Sequence, residues 1–266
     1  MERADIEKII GIVKGMRDHF MDARSAGEIS CKGDVDFVTS VDVRVQSEIR
    51  EALGRAFPQI QFMGEEQDNS GVDFSGAVWI LDPVDGTTNL IHRFRHSAVS
   101  LALSVNRRLE LGIVYDPYAD ELFLAIRGGG AFLNGEPIHV SGAKTMKECL
   151  VSVGTAPYYH DIADENFDLI KRVFMDSQDI RRIGSAAIDL SYVACGRTDA
   201  FFERNLKPWD YGAGALLVRE AGGRITDFGG GEISLEKPCS IVAGAPEINR
   251  ILVRDYMGGG ADVHGE

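Results

Sequence analysis

From Ile6 onward the apolar residues Ile9, Ile10, Val13, Met16 and Phe20 recur at three- and four-residue steps among charged neighbours. That spacing predicts an amphipathic helix with one buried stripe. After VTSVD, the residues Val45, Ile49, Leu53 and Phe57 stand four apart and predict a second helix that ends at Pro58, since the residue before a proline is steered out of helical backbone. Both helices are expected to precede the first sheet residues. The pattern then changes. IQFMGEE is a short apolar run closed by Glu65 and Glu66, and AVWILD is a fuller strand closed by Asp82. SAVSLALSV, LELGIVYD and DELFLAI follow, separated by the turn-like NRR and PYA, which predicts an antiparallel meander. A glycine-rich turn, RGGGAFLNGEPIHVS, is expected to end it.

From about residue 146 strands alternate with helices: CLVSVG, DENFDLIKRVF, DIRRIG, SAAIDLSYVACG, TDAFFE, PWDYGAGALLVREAGG, RITDF, SIVAGA and a last helix from Pro246. Alternation of this kind argues for an α/β arrangement with both sheet faces covered. The reading is therefore an α+β half over residues 1–145 and an α/β half over residues 146–266, with no obvious linker and an extensive shared interface. The tail GGGADVHGE is expected to be disordered.

The chain has 266 residues, 44% hydrophobic and 26% charged, the balance of an ordinary globular protein. Lys plus Arg number 28 and Asp plus Glu 41, a net charge of −13, which argues against nucleic acid as a partner. Cys31, Cys149, Cys195 and Cys239 lie too far apart for a zinc site or redox dithiol and read as reduced cytoplasmic thiols. The charged, amphipathic N-terminus does not read as a secretory signal. No run of about 18 apolar residues suggests a membrane span.

The acids matter more for their places than for their number. Glu65 and Glu66 close one strand, Asp82 closes the next with Asp85 three residues on, and Asp210 falls in the first turn of a helix opened by Pro208. Two carboxylates about 4 Å apart repel by on the order of 4 kcal/mol at an effective dielectric near 20, so a cluster would raise its own pKa values or recruit cations. Oxygen donors without nearby histidine or cysteine favour Mg²⁺, Mn²⁺ or Ca²⁺ over zinc. In DGTTN, Gly86 allows a sharp turn, and the amides of Gly86, Thr87 and Thr88 would open whatever follows, where anions bind. Metal carboxylates beside an anion cradle imply metal-assisted phosphate chemistry. Taken alone, Asp85-Gly86 could equally be a plain turn with Thr87 as its cap.

DFVTSVD, GEE, WILDPVDGTTN, GIVYDP, GAFLNG, GSAA and KPWDYGAGALLVREAGG, in this order over nearly the whole chain, resemble the inositol monophosphatase family. The resemblance implies a five-layer αβαβα sandwich, Mg²⁺-dependent and lithium-sensitive hydrolysis of small phosphomonoesters, and a homodimer. It implies that Glu65, Asp82 and the Val84 carbonyl hold one Mg²⁺ and that Asp82, Asp85 and Asp210 hold a second. A third, weaker ion would touch Glu65, with Glu66 behind it. Mn²⁺ or Ca²⁺ could substitute in binding. Thr87, oriented by Asp42, would position the attacking water with the first metal and Glu65, while Gly86, Thr87 and Thr88 would hold the phosphate. In-line attack on a phosphomonoester needs charge neutralised on both entering and leaving oxygens, and two cations do this without a covalent nucleophile.

Further residues are placed by the same resemblance. Lys32 matches a lysine on a loop over the metal site, and Asp36 accompanies it; both could also be solvated loop residues. Glu203, seven residues before Asp210, matches the glutamate that reads a substrate hydroxyl, unless it only pairs with Arg204. Gly184, Ser185 and Ala186 match the helix start that faces the inositol ring, unless they form a tight helix-on-sheet contact; Ser185 stands where many relatives have threonine. His92 and His96 read as structural or surface residues, and Trp79 and Trp209 as packing anchors. The expected substrate is inositol 1-phosphate or a similar polyol phosphate. Sister specificities are fructose-1,6-bisphosphate, histidinol phosphate, NADP and 3′-phosphoadenosine 5′-phosphate, for which Arg204 or Lys207 could contact a second phosphate. The remote alternative is a metal- or polyol-binding protein without catalysis.

Overall fold

The computed structural model describes residues 2–21, 29–31 and 37–258. Lys32, Asp36, the side chain of Cys31 and the tail beyond Gly258 lie outside them. The first apolar stripe folds as two helices, α1 (Arg3–Lys14) and α2 (Arg17–Met21), rather than one. The break falls at Gly15, a residue with poor helix propensity, whose N–H closes α1 on the Gly11 carbonyl at 3.0 Å. A second departure follows: β1 (Ile29–Cys31) and β2 (Phe37–Thr39) pair antiparallel ahead of α3 (Ser40–Ala56), so sheet residues precede the second long helix. Local periodicity could not reveal a ladder of three residues a side.

The first large sheet runs in chain order through β3 (Gln61–Gly64), β4 (Ala77–Asp85), β5 (Ala98–Val105), β6 (Arg108–Asp116), β7 (Glu121–Ile126), β8 (Gly130–Leu133) and β9 (Glu136–Pro137). Only β3 and β4 are parallel. The glycine-rich stretch expected to be a turn therefore carries two more strands. Asn134 and Gly135, at φ 50° and 89°, make the two-residue connection between Leu133 and Glu136, the left-handed pair that a tight hairpin requires.

The helix α4 (Thr87–Ile91) sits between β4 and β5. The second half contains β10 (Leu150–Val153), α5 (Ala163–Asp176), β11 (Asp179–Arg181), α6 (Ala186–Ala194), β12 (Ala200–Leu206), α7 (Pro208–Glu220), β13 (Arg224–Asp227), β14 (Cys239–Gly244) and α8 (Pro246–Ile251). Its strands form a mixed sheet in the order β11-β10-β12-β14-β13.

Side-chain alternation fixes the layers. Trp79 and Leu81 of β4 join Val45, Ile49 and Ile9 beneath α1 and α3, while Val78 and Ile80 face the opposite way, into a core shared with α6 and α7. Phe201 and Ile241 bring the second sheet to that same middle core, and Phe202 and Val242 turn outward to pack with Leu169 of α5 and Ile248 of α8. The result is the expected α-β-α-β-α sandwich, with α6 and α7 as the central layer. Close approach in that layer depends on small residues: a Cβ on Gly112 of β6 would stand 2.6 Å from the Ala213 carbonyl oxygen of α7.

Candidate active site

The end of β4 and the starts of three helices converge on one cavity of about 350 Å³. Asp82 pairs with Ser100 and Asp85 with Ala98, so three steps along β4 match two along β5. This bulge follows from Pro83, which has no N–H to give the ladder. In place of the lost pairing, the Val84 N–H donates to Asp82 Oδ1 at 2.9 Å. Gly86 then takes a left-handed conformation (φ 92°), where an added Cβ would meet the His96 carbonyl oxygen at 2.9 Å.

Asp210, Asp85 and Asp42 are each held by a helix start. Asp210 is the third residue of α7 after Pro208, and its Oδ2 accepts the Lys207 N–H at 2.7 Å. Ser100 Oγ donates to the Trp209 carbonyl at 3.1 Å, tying that turn to β5. Asp85 Oδ2 accepts from Ser185 Oγ at 2.5 Å and from the Ala187 N–H at 2.6 Å, which places it on the start of α6. Asp42 belongs to the capping box of α3: its Oδ2 accepts the Thr39 N–H at 2.9 Å and the Thr39 hydroxyl. Its Oδ1 accepts from Thr87 Oγ1 at 2.9 Å, and the Val84 carbonyl is a second acceptor for that hydroxyl at 3.1 Å.

Burial raises every one of these carboxyls. Asp82 is pushed well above the usual range by burial first and then by Glu65, Asp85, Asp210 and Asp42, all negative. Asp210 is raised by burial and by Asp85 and Glu65, against the Lys207 N–H. Asp85 is pushed up to about 6 by burial, with Ser185, the α6 amides and Arg182 opposing. Asp42 is raised by burial, with Thr39 and Thr87 opposing. The donors are hard oxygens in kind, and Asp82 is buried among other carboxylates, the setting that calls for a divalent cation. Glu65, Asp82, the Val84 carbonyl, Asp85 and Asp210 fit Mg²⁺ in this sense. Among the described residues no three acids, histidines or cysteines are already drawn up as a metal-binding group.

Glu65, Asp82, Val84, Asp85, Gly86, Thr87, Thr88, Gly184, Ala186, Glu203 and Asp210 all line the cavity. Asp42 reaches it only through Thr87, and Ser185 is buried as the cap of α6 and spends its hydroxyl on Asp85. Glu66 sits one residue beyond Glu65, with its N–H on Gln46 Oε1 at 2.9 Å. Glu203 does not pair with Arg204, which bonds Glu165 at 2.7 Å; Glu203 Oε1 accepts the Ala156 N–H at 3.0 Å, and burial pushes its carboxyl to about 7. His92 is exposed and His96 rests against Phe94, both outside the cavity. Trp79 packs on Phe57 in the core.

The chain's similarity to known proteins agrees with this geometry. The sequence profile of the inositol monophosphatase family matches residues 1–256. The chain belongs to the inositol monophosphatase family. An inositol-1-monophosphatase from Rhizobium meliloti is 41% identical over 236 residues, 86% of this chain and 88% of that protein. A Nus factor SuhB from Salmonella typhimurium (strain LT2) is 42% identical over 229 residues, 86% and 85%. The crystal structure of the extragenic suppressor protein suhB from Bartonella henselae superposes with a TM-score of 0.89 at 35% identity, covering 97% of this chain and 100% of that one.

Several residues of this family site were not singled out by sequence reasoning. Arg182 lines the cavity, with Nε and Nη2 on Thr155 Oγ1 at 3.3 and 3.1 Å. Asn89 Nδ2 donates to the carbonyls of His96 at 2.6 Å and Ile183 at 3.0 Å, joining the turn at Gly86 to the segment before α6. Asp189 is an acid inside an otherwise apolar helix, AAIDLSYVA, and that contrast was the available signal.

Proposed function

We propose that this inositol monophosphatase family member hydrolyses small phosphomonoesters with Mg²⁺, acting on inositol 1-phosphate or a similar polyol phosphate. The observation that carries the reading is the meeting, in one cavity, of Glu65, Asp82, Asp85 and Asp210, the Gly-Thr-Thr turn and Glu203. Mg²⁺ held by Glu65, Asp82, Val84, Asp85 and Asp210 would supply the positive charge that offsets both the entering and the leaving oxygen. The chain's own groups do the rest. First-turn amides of α4 lack acceptors within the helix and, with the hydroxyl of Thr88, receive the phosphate oxygens. Asp42 fixes the Thr87 hydroxyl, which orients the water for in-line attack. Glu203 accepts a hydroxyl of the alcohol, and the buried wall excludes competing water.

Release of inorganic phosphate from a panel of phosphomonoesters, with Mg²⁺ and with a chelator, tests this. Mg²⁺-dependent turnover highest on polyol monophosphates is expected. Turnover confined to bisphosphates would move the specificity to Arg204 and Lys207 at the cavity wall. The relatives named Nus factor SuhB, at up to 42% identity, support a second reading in which the chain serves by binding rather than catalysis. Mg²⁺ binding without turnover on any ester would favour it.

A further inference from the structure

Asp189 is a buried acid for which the roles assigned above have no use. It lies on α6 at 2% exposure and borders the same cavity. Its Oδ1 has no hydrogen-bond partner. Ser152, at the end of β10, faces the same carboxyl, yet its Oγ makes no well-formed hydrogen bond of its own. A polar group sealed from water without a full partner is destabilising, so Asp189 Oδ1, met only loosely by the Ser152 hydroxyl, is a cost the fold carries at one particular spot. Glu203 lines the same cavity. Glu203 comes from β12, whose Phe201 and Phe202 lie in register with Ser152 and Val153 of β10. Gly154, next along β10, leaves room for its carboxyl: a Cβ there would stand 1.9 Å from Glu203 Cδ. Glu203 and Asp85 both act on Asp189 by like charge, with Arg182 opposing them.

We propose that Asp189, with Ser152, is a positioning and specificity-determining residue: it backs Glu203 and holds that carboxyl toward the alcohol part of the ester. The cavity thereby favours phosphomonoesters whose alcohol carries a further free hydroxyl. This rests on the phosphatase reading above. Asp189 does not touch the phosphate; it acts through Glu203, and the ester's hydroxyl is the group whose binding senses its loss.

The test compares myo-inositol 1-phosphate with phenyl phosphate, which has no further hydroxyl, for the wild type, Asp189→Ala, Asp189→Asn and Ser152→Ala. Asp189→Ala is expected to lower the ratio of kcat/KM for inositol phosphate over phenyl phosphate by about tenfold, the loss falling on KM. Asp189→Asn, which keeps shape and an acceptor toward Ser152 without the charge, is expected to restore most of the ratio, and Ser152→Ala to lower it in the same sense. An unchanged ratio in both Asp189→Ala and Ser152→Ala overturns the proposal. If Asp189→Ala fails to fold, an unchanged ratio in Ser152→Ala overturns it alone. A wild type without Mg²⁺-dependent turnover on either ester overturns the phosphatase reading itself, a result distinct from both.

Discussion

Replacing Gly154 by alanine puts the packing around Glu203 to a direct test. The added Cβ would lie 1.9 Å from Glu203 Cδ, 2.1 Å from Oε2 and 2.4 Å from Cγ, whereas carbon atoms in contact sit about 3.5–4.0 Å apart. Something must move by about 1.5–2 Å. Gly154 is not among the left-handed glycines, so backbone strain does not confuse the result. The carboxyl is the end of a flexible side chain with the cavity before it, so it swings into the cavity more cheaply than either strand shifts. Swinging breaks its bond from the Ala156 N–H, 3.0 Å in the present arrangement, and a buried donor left unpaired costs about 1–3 kcal/mol. For a chain of this size that lowers Tm by roughly 2–12 °C. The displaced carboxyl also occupies the alcohol end of the cavity, so KM for a polyol phosphate should rise about tenfold or more, equivalent to about 1.4 kcal/mol or more of lost binding. Thermal unfolding and steady-state kinetics with inositol 1-phosphate measure both. A Tm within about 1 °C of wild type together with an unaltered KM would refute the reasoning, because Glu203 could not then be seated against Gly154.

Three further outcomes are expected. Mg²⁺ at about 100 times its dissociation constant should stabilise the chain by about 2.7 kcal/mol, and Asp210→Asn should abolish most of the resulting Tm increase in thermal unfolding. Thr87→Ala should lower kcat by on the order of 10²–10³ while costing only about 1 kcal/mol of stability; a Tm loss without a rate loss would remove Thr87 from the reaction. In the metal-free protein, Glu203 keeps its proton up to about 7 against an ordinary value of 4.5, so between those values the folded state holds protons that the unfolded state releases. That contribution is complete below the unfolded value and is lost as pH rises through the folded one. Denaturant titrations across this window with chelator present should show stability falling with pH, and Glu203→Gln should make the fall shallower by its share, the raised Asp82, Asp85 and Asp210 supplying the rest.

The parts of the site legible in sequence are those whose partners lie close along the chain. Asp82, Pro83, Val84, Asp85 and Gly86 occupy one strand end and its turn, so the strand pattern and the glycine jointly announce a turn with two acids on it, while the bulge at Pro83 shows only in the pairing with β5. Helices α3 and α5 were legible because their apolar periods are local, and α3 and α7 because Pro58 and Pro208 mark an end and a start. What escaped depends on pairing at a distance. The hydrogen bond from Ser185 to Asp85 spans 100 residues and that from Asn89 to Ile183 spans 94, and no spacing rule connects such positions. The hairpin of β1 and β2 and the strands β8 and β9 are too short, and β9 too exposed, to leave an alternating signature. The division of α1 from α2 turns on one glycine inside an unbroken apolar stripe.

The central layer also bears on how an ester gets in and out. Residues from Met63 to Ala243 contribute to a single apolar cluster that binds both sheets to α6 and α7, and Asp210 rides on α7 while Asp82 and Asp85 ride on β4. Swinging the halves apart to admit a ligand would wet that whole cluster, at about 25 cal/mol for each Å² of apolar surface uncovered. The molecule therefore has no hinge where its sequence changes rhythm. Traffic through the cavity is left to the segments that line it outside that cluster, among them Tyr158, Tyr159 and Lys207.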